Sequence, residues 1–179
     1  MTQPVWARSP KLDTAVKLIS HEESADQHFL VVTCDDGLSS QIDNARAAAE
    51  RIEKETGSPC PVEFFVLTKL ENSTDPVEEM PDETPSYFDG NEGKHSNLGQ
   101  LRTIARSGIH KIRNHTVNHA TLPNLTIDAR NGEVEDGEKK VLAIYRSVKA
   151  KTPRKKVFAY PRGAYAGQID YILSHYDMA

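Results

Sequence analysis

The sequence predicts an α/β fold in which short β-strands alternate with helices and pair in parallel. Short apolar runs rich in β-forming residues alternate with longer stretches whose apolar residues recur at helical spacing. Polar motifs follow three of the predicted strands. The carboxyl ends of parallel strands meet at one rim, and barrels of alternating strands and helices build their active sites there. We therefore expect a parallel sheet with right-handed connections and a site at that rim.

Two strands flank a helix in the first part of the chain. The apolar run 29–33 is the first predicted strand, and residues 62–67 are the second. A helix is predicted between them over about 40–56, because its apolar residues recur at helical spacing. Ser40 begins this helix in a pattern that resembles a capping box, and Gly57 ends it as a left-handed cap.

A long loop and a second helix occupy the middle of the chain. Residues 70–94 contain prolines, glycines and many acidic residues, so we expect an acidic insertion loop there. Ser96 is predicted to cap the next helix, which closes at Gly108. A short strand over 109–114 then leads into a histidine motif.

The same alternation continues to the end of the chain. A loop is predicted at 120–132 and a helix at about 134–150. A strand over 155–160 and a helix over about 166–175 follow. Residues 176–179 resemble the start of a further strand.

Length and composition fit one globular domain. The chain has 179 residues, of which 37% are hydrophobic and 27% charged, as in soluble proteins with a hydrophobic core. No apolar run approaches the roughly 20 residues that span a bilayer, so we expect no membrane span. Residues 1–10 contain no visible signal peptide. This favours the cytoplasm, and leaves secretion or the periplasm open if a leader has been removed.

The charge distribution excludes one class of partner. The net charge is −4, and residues 71–93 carry eight Asp or Glu with no Lys or Arg. A nucleic-acid-binding protein would concentrate basic residues on one face. We therefore expect no nucleic-acid partner.

His115 and His119 are candidate metal ligands. On a helical turn, two histidines four residues apart face the same side and can bind one ion. The motif differs from the HExxH of zinc proteases, because Thr116 and Val117 stand where that motif has Glu and its neighbour. A third ligand must then come from elsewhere, and Asp36 is the natural candidate. The alternative is a chance pair of surface or core histidines.

Asp35 and Asp36 close the first predicted strand, followed by Gly37. Adjacent carboxylates on extended backbone point in different directions, so one can bind a metal while the other remains free as a base. Gly37 permits a turn that a side chain would obstruct. A solvated Asp-Gly turn is the simpler alternative. After the later strand, the turn at 161–163 could aim backbone N–H groups at an oxyanion, although such turns are usually only structural.

These three segments, in this order, resemble the polysaccharide deacetylases, which are carbohydrate esterase family four with the NodB homology domain. Residues 33–37, Thr-Cys-Asp-Asp-Gly, are similar to that family's TFDDG motif. Residues 115–119 match its H(S/T)xxH motif, and residues 158–163 resemble its third motif in the FxYPxG form. The resemblance runs from about Phe29 to the C-terminus.

The resemblance implies a role for each site residue. Asp35 would be the general base, and Asp36, His115 and His119 would bind one divalent metal. Zinc is the first expectation for this ligand set, and cobalt or nickel would also fit.

The resemblance also implies how the acyl group is bound and how the domain is built. The backbone N–H of Arg162 would help hold the oxyanion, while Tyr160 and Pro161 would shape the acyl pocket. The implied fold is an irregular (β/α) barrel of about seven strands, cut short at the C-terminus. Residues 29–179 would form the catalytic domain, preceded by an N-terminal extension over 1–28.

Three positions depart from the family's pattern. Cys34 replaces a phenylalanine, and Ala159 stands where many members carry an arginine that orients the base. The family's general-acid histidine belongs to a motif that would lie beyond residue 179. His175 follows the third motif too early to take that place.

The predicted function is metal-dependent hydrolysis of an acetyl group, as an N-acetyl amide or O-acetyl ester, on an acetylated oligo- or polysaccharide. Three alternatives stay open. The same fold could hydrolyse non-sugar amides or cyclic imides. The chain could be a catalytically incomplete fragment that binds metal without turnover. Two histidines and a carboxylate also form the facial triad of iron oxygenases, but those folds usually have antiparallel strands.

Overall fold

The parallel sheet predicted from the sequence is present. A computed structural model describes residues 31–69 and 95–179; the predictions made for residues 1–30 and 70–94 lie outside the described ranges. Three strands pair in parallel in the order β1-β2-β3, namely β1 Val32–Cys34, β2 Val62–Val66 and β3 Lys111–Asn114. The α/β class is therefore confirmed.

Two single bridges continue the sheet beyond β3. Asn114 pairs in parallel with Phe158, and Val157 pairs in parallel with Met178. The Phe158 N–H donates to the Met178 carbonyl at 3.0 Å. The strand predicted at 155–160 is thus reduced to a short bridged segment, and the start of a strand predicted near the end of the chain is confirmed as one bridge. Within the described residues these segments do not close into a barrel.

Five α-helices connect and cover the strands in the described part of the chain. They are α1 Ser39–Thr56, α2 Leu98–Ser107, α3 Ile127–Asn131, α4 Gly137–Ser147 and α5 Ile169–His175. A π-helical segment, Gly132–Asp136, joins α3 to α4. In the described residues, no helix combines the length and apolar character needed to cross a membrane.

The N-terminal ends of α1 and α2 show that two predicted capping residues were wrong. The residue before α1 is Leu38, whose N–H donates to the Gln41 side chain at 3.3 Å, so Ser40 lies inside the helix and does not cap it. Asn97, and not Ser96, caps α2, because its side-chain oxygen accepts the Gln100 N–H at 2.9 Å. The predicted left-handed glycine caps at residues 57 and 108 are confirmed.

The loop predicted at 120–132 ends earlier than expected. A 3₁₀ turn occupies Leu122–Asn124, and Thr126 then caps α3 by accepting the Ala129 N–H at 3.3 Å, so the α-helix begins at Ile127. The sequence feature that indicates this helix start is Thr126 as the capping residue. Asp128 follows in the first turn, where a carboxylate interacts favourably with the helix dipole. The continuous path from α3 through the π-helical segment into α4 brings this stretch against the loop after β3.

The sheet is covered on one face by α1, α2 and α4. The core there combines alternate residues of the strands with the inner faces of the helices: Val62, Phe64, Val66, Ile112, Ile42, Leu101, Ile104, Val141 and Tyr145. The opposite face of β2 and β3 carries a buried ion pair, in which Arg113 Nε lies 2.6 Å from Glu63 Oε2. All five residues of β2 are buried, as expected for a parallel strand covered on both sides.

Gly137 provides a test of packing at the end of β3. A Cβ at this position would lie 2.9 Å from Asn114 Cγ and closer still to its oxygen. We therefore expect Gly137→Ala to lower the free energy of unfolding by about 1–3 kcal/mol, as overpacking does, although the same change in a helix normally stabilises by roughly 1 kcal/mol. Gly132→Ala is the matched control, since its Cβ would meet only Asp136 Oδ2, at 4.0 Å. Urea unfolding of both variants would show whether the free energy of unfolding falls in Gly137→Ala and rises in Gly132→Ala. Equal stability would contradict the packing argument.

Candidate metal centre

The turn after β1 carries the first part of the site. Asp36 and Gly37 both adopt left-handed backbone conformations, with φ of 70° and 66°. A Cβ on Gly37 would lie 2.9 Å from the Cβ of Val66, so this close approach of β1 and β2 requires glycine. The Gly37 carbonyl accepts the Ser96 N–H at 2.9 Å, which ties the turn to the start of α2.

His115 and His119 lie in a loop after β3 and not on a helical turn, so that part of the prediction was wrong. The His115 N–H donates to the Val66 carbonyl at 3.1 Å and continues the ladder of β2 and β3. The backbone is then left-handed at Thr116 and again at His119, with φ of 71° and 58°. The loop still brings the two imidazoles together, with ring centroids 5.0 Å apart.

Asp36, His115 and His119 converge on one point. Asp36 Oδ1 lies 3.4 Å from His115 Nε2 and 3.2 Å from His119 Nε2. One possible ligand atom from each residue lies within 4.8 Å of the others, and both imidazoles are buried. The predicted trio is therefore brought together in space.

The tautomer of His115 fits a cation at this point. Its Nδ1 lies 2.9 Å from the Ala159 carbonyl, which can only accept, so Nδ1 carries a proton. In the tautomer with the proton on Nδ1, the Nε2 lone pair faces the Asp36 carboxylate. Nε2 of His115 and Oδ1 of Asp36 are both acceptors in this arrangement, so a proton or a metal ion must lie between them. Nε2 of His119 faces the same Asp36 oxygen. Nδ1–H bound to a backbone carbonyl is also the usual outer partner of a metal-binding histidine.

Electrostatics favour the metal-binding protonation states. Burial lowers the pKa of His119, so its imidazole is neutral at pH 7. A hydrogen bond from a protonated His115 Nε2 would lower the pKa of the Asp36 carboxyl, against the opposing effect of partial burial, and a bound cation in place of that proton would act in the same direction. Neutral imidazoles and an ionised carboxylate are the forms that bind a divalent ion.

His95 is a further histidine at the site that the sequence analysis missed. It is buried, and its Nδ1 lies 3.1 Å from the backbone carbonyl of Asp36. Burial lowers the pKa of His95 as well. Its place just before α2 belongs to no motif of the sequence. The antiparallel bridge between Leu38 and His95, together with the hydrogen bond from the Ser96 N–H to the Gly37 carbonyl, brings it to the turn after β1.

Comparison with known protein families shows to which family this chain belongs. A sequence model described as polysaccharide deacetylase matches residues 22–179. The chain belongs to the polysaccharide deacetylase family. The resemblance carried by the three motifs is thereby confirmed, and the match includes the whole candidate site.

Solved structures give the same fold. The chain is 20% identical to a polysaccharide deacetylase from Bacillus cereus, with a TM-score of 0.61, over 94% of this chain and 43% of that one. The deacetylase PplD of Streptococcus pyogenes, solved in complex with acetate, is 18% identical, with a TM-score of 0.59 over 93% of this chain and 61% of that one. IcaB from Ammonifex degensii is 20% identical, with a TM-score of 0.56 over 93% of this chain and 64% of that one. The chain therefore spans less than two thirds of each of these three structures. No curated protein matches it significantly.

The third motif of this chain borders the histidines. The Ala159 carbonyl binds His115, and the following residues Pro161–Gly163 form a 3₁₀ turn. Arg162 is exposed and left-handed, with φ of 59°. Burial lowers the pKa of His119 most, and the positive charge of Arg162 lowers it further, so Arg162 acts electrostatically on this site.

The remaining predicted site residues differ in their surroundings. Tyr160 packs edge-on against Phe158 at 5.3 Å, and its hydroxyl is buried with no hydrogen-bond partner among residues 31–69 and 95–179. Pro161 is buried beside it. Asp35 is exposed and is not part of the metal-ligand cluster found in the described ranges. The roles given to these residues and to Arg162 stay predictions.

Proposed function

We propose that this chain is a metal-dependent deacetylase that hydrolyses an N-acetyl amide or an O-acetyl ester on a carbohydrate. The observation that carries the proposal is the convergence of Asp36, His115 and His119, with ligand atoms within 4.8 Å of one another. Membership of the polysaccharide deacetylase family supports acetylated oligo- and polysaccharides as the substrate class.

Asp36, His115 and His119 would hold one divalent metal ion. Zinc suits two imidazoles and a carboxylate, and cobalt or nickel would also fit. When bound, the metal supplies Lewis acidity that polarises the acetyl carbonyl and eases the ionisation of water.

The protein's own residues would carry out the proton transfer and bind the acyl group. Asp35, free of the ligand cluster, accepts a proton from the attacking water. The Arg162 backbone N–H donates to the oxyanion that forms at the acetyl carbonyl. Tyr160 and Pro161 shape the acyl pocket beside His115, whose imidazole is held by the Ala159 carbonyl.

The sheet is proposed to belong to an irregular (β/α) barrel. The fold of the related structures and the two parallel bridges after β3 support this. In this proposal, residues 29–179 form the catalytic domain, residues 1–28 precede it, and residues 70–94 are an acidic insertion.

A second candidate is a metal-binding fragment that does not turn over. The chain spans 43% of the length of the Bacillus cereus polysaccharide deacetylase, so turnover by this chain is itself part of the proposal. A hydrolase of non-sugar amides or cyclic imides would use the same metal centre with a different acyl pocket.

A substrate panel with added zinc tests these proposals. We expect acetate release from acetylated chitooligosaccharides or acetylated xylan, lost with a chelator and restored by zinc. Ring opening of cyclic amides without acetate release would support the non-sugar alternative. Tight zinc binding without any turnover would support the fragment, and absence of metal binding would contradict all three readings.

A further inference from the structure

The loop between the two histidines has an unusual backbone. Thr116 and His119 both adopt left-handed conformations, which cost of order 1 kcal/mol or more for residues other than glycine. Such conformations persist only where the surroundings hold them. The backbone N–H groups of Val117 and Asn118 lie between them, so the partners of these groups decide whether the loop keeps its shape.

Glu133 binds this loop with both oxygens of its carboxylate. Oε2 accepts the Val117 N–H at 3.0 Å and the Asn118 N–H at 2.8 Å, and Oε1 accepts the Asn118 side-chain amide at 2.6 Å. Hydrogen bonds to an ionised acceptor are roughly twice as strong as those between neutral groups. A single side chain therefore fixes both inner residues of the loop.

Asn114 ties the other end of the loop to the same helical segment. Its side-chain oxygen accepts the Thr116 N–H at 2.9 Å, and its amide donates to the Val134 carbonyl at 2.8 Å. Val134 is the neighbour of Glu133 in the π-helical segment Gly132–Asp136. Single π-helical turns inside α-helices are frequent at functional sites. The loop and this segment thus form one hydrogen-bonded unit.

We propose that Glu133 is a positioning residue, which acts on the site through the loop that carries His115 and His119. This inference rests on the proposed function, because Glu133 would act through the residues that bind the metal. Glu133 is not itself a member of the ligand cluster found in the described residues. By holding the loop, it keeps both imidazoles directed at Asp36 before any ion binds.

Glu133→Gln tests this role with Glu135→Gln as the matched control. Glutamine has one acceptor oxygen in place of two and carries no charge, so it cannot accept from the two backbone N–H groups and from the Asn118 side-chain amide at the same time. We expect zinc affinity to fall by about 10–100-fold, as for other residues that orient metal ligands, and the visible spectrum of the cobalt-loaded protein to change. Glu135 lies in the same segment but contacts Tyr171 and His175, so its variant should keep zinc affinity within about threefold.

Amide hydrogen exchange provides a readout that needs no metal. In Glu133→Gln the Val117 and Asn118 amides should exchange about tenfold faster or more, and those of β2 should not. If Glu133→Gln does not fold, Asn118→Ala removes one of the three bonds and should weaken zinc binding about fivefold.

The outcomes separate this inference from the proposed function. Wild-type zinc affinity and unchanged exchange in the folded variants would overturn the role of Glu133 and leave the metal site intact. A wild-type protein that binds no zinc would contradict the proposed function, while exchange at the two amides would still decide whether Glu133 holds the loop.

Discussion

Replacing His119 by alanine should abolish tight zinc binding and lower kcat/KM for acetate release by about 1,000-fold or more, because a metal Lewis acid contributes several kcal/mol to such reactions. His119 supplies one of the three converging ligand atoms, and its ring is buried beside Asp36. Calorimetric zinc titration and an acetate assay would measure the two effects.

His175→Ala is the control for the loss of an imidazole. His175 lies on α5, where its nearest charged partner is Glu135 at 3.6 Å, so zinc affinity and activity should be unchanged. Retention of zinc binding by His119→Ala would contradict the assignment of this residue as a ligand.

Replacing Asp35 by asparagine should lower kcat by about 100–10,000-fold, which is the usual contribution of a general base. Zinc affinity should stay close to wild type, because the Asp35 carboxylate is exposed and lies outside the ligand cluster of the described residues. Asparagine keeps the size of the side chain and removes its ability to take a proton. Steady-state kinetics together with a zinc titration would separate the two effects.

Asp170→Asn, an exposed carboxylate at the start of α5, controls for the change in net charge. If Asp35→Asn lost zinc affinity and Asp36→Asn kept it, the roles of the two carboxylates would be reversed. Full activity in Asp35→Asn would remove this residue from the mechanism.

The sequence predicted what local patterns determine. Apolar spacing and glycine caps placed α1 and α2 to within a few residues, and alternation of strands and helices predicted the parallel sheet. The three polar motifs predicted one site because the ends of neighbouring parallel strands must lie close together. Asp36, His115 and His119 are close for this reason.

The failures come from contacts between distant parts of the chain. A helical turn over 115–119 was expected from spacing alone, but hydrogen bonds to Asn114 and Glu133 impose left-handed backbone on this loop. His95 reaches the site through a bridge to Leu38, which no local pattern encodes. The bonds of Glu133 also span 15 or more residues along the chain and could not be read from spacing.

The left-handed residues around the site have a consequence for engineering. Asp36, Thr116, His119 and Arg162 all adopt a backbone that glycine or asparagine would accept more easily. General stabilisation methods would therefore select replacements at these four positions as well as at Lys149, a left-handed residue that follows α4 away from the site, since relieving the backbone favours folding. The replacements at the four positions would remove or loosen the groups that converge at the rim. Greater thermostability would then be obtained at the expense of catalysis, so thermostable variants of this protein should be sought in the helices away from the rim.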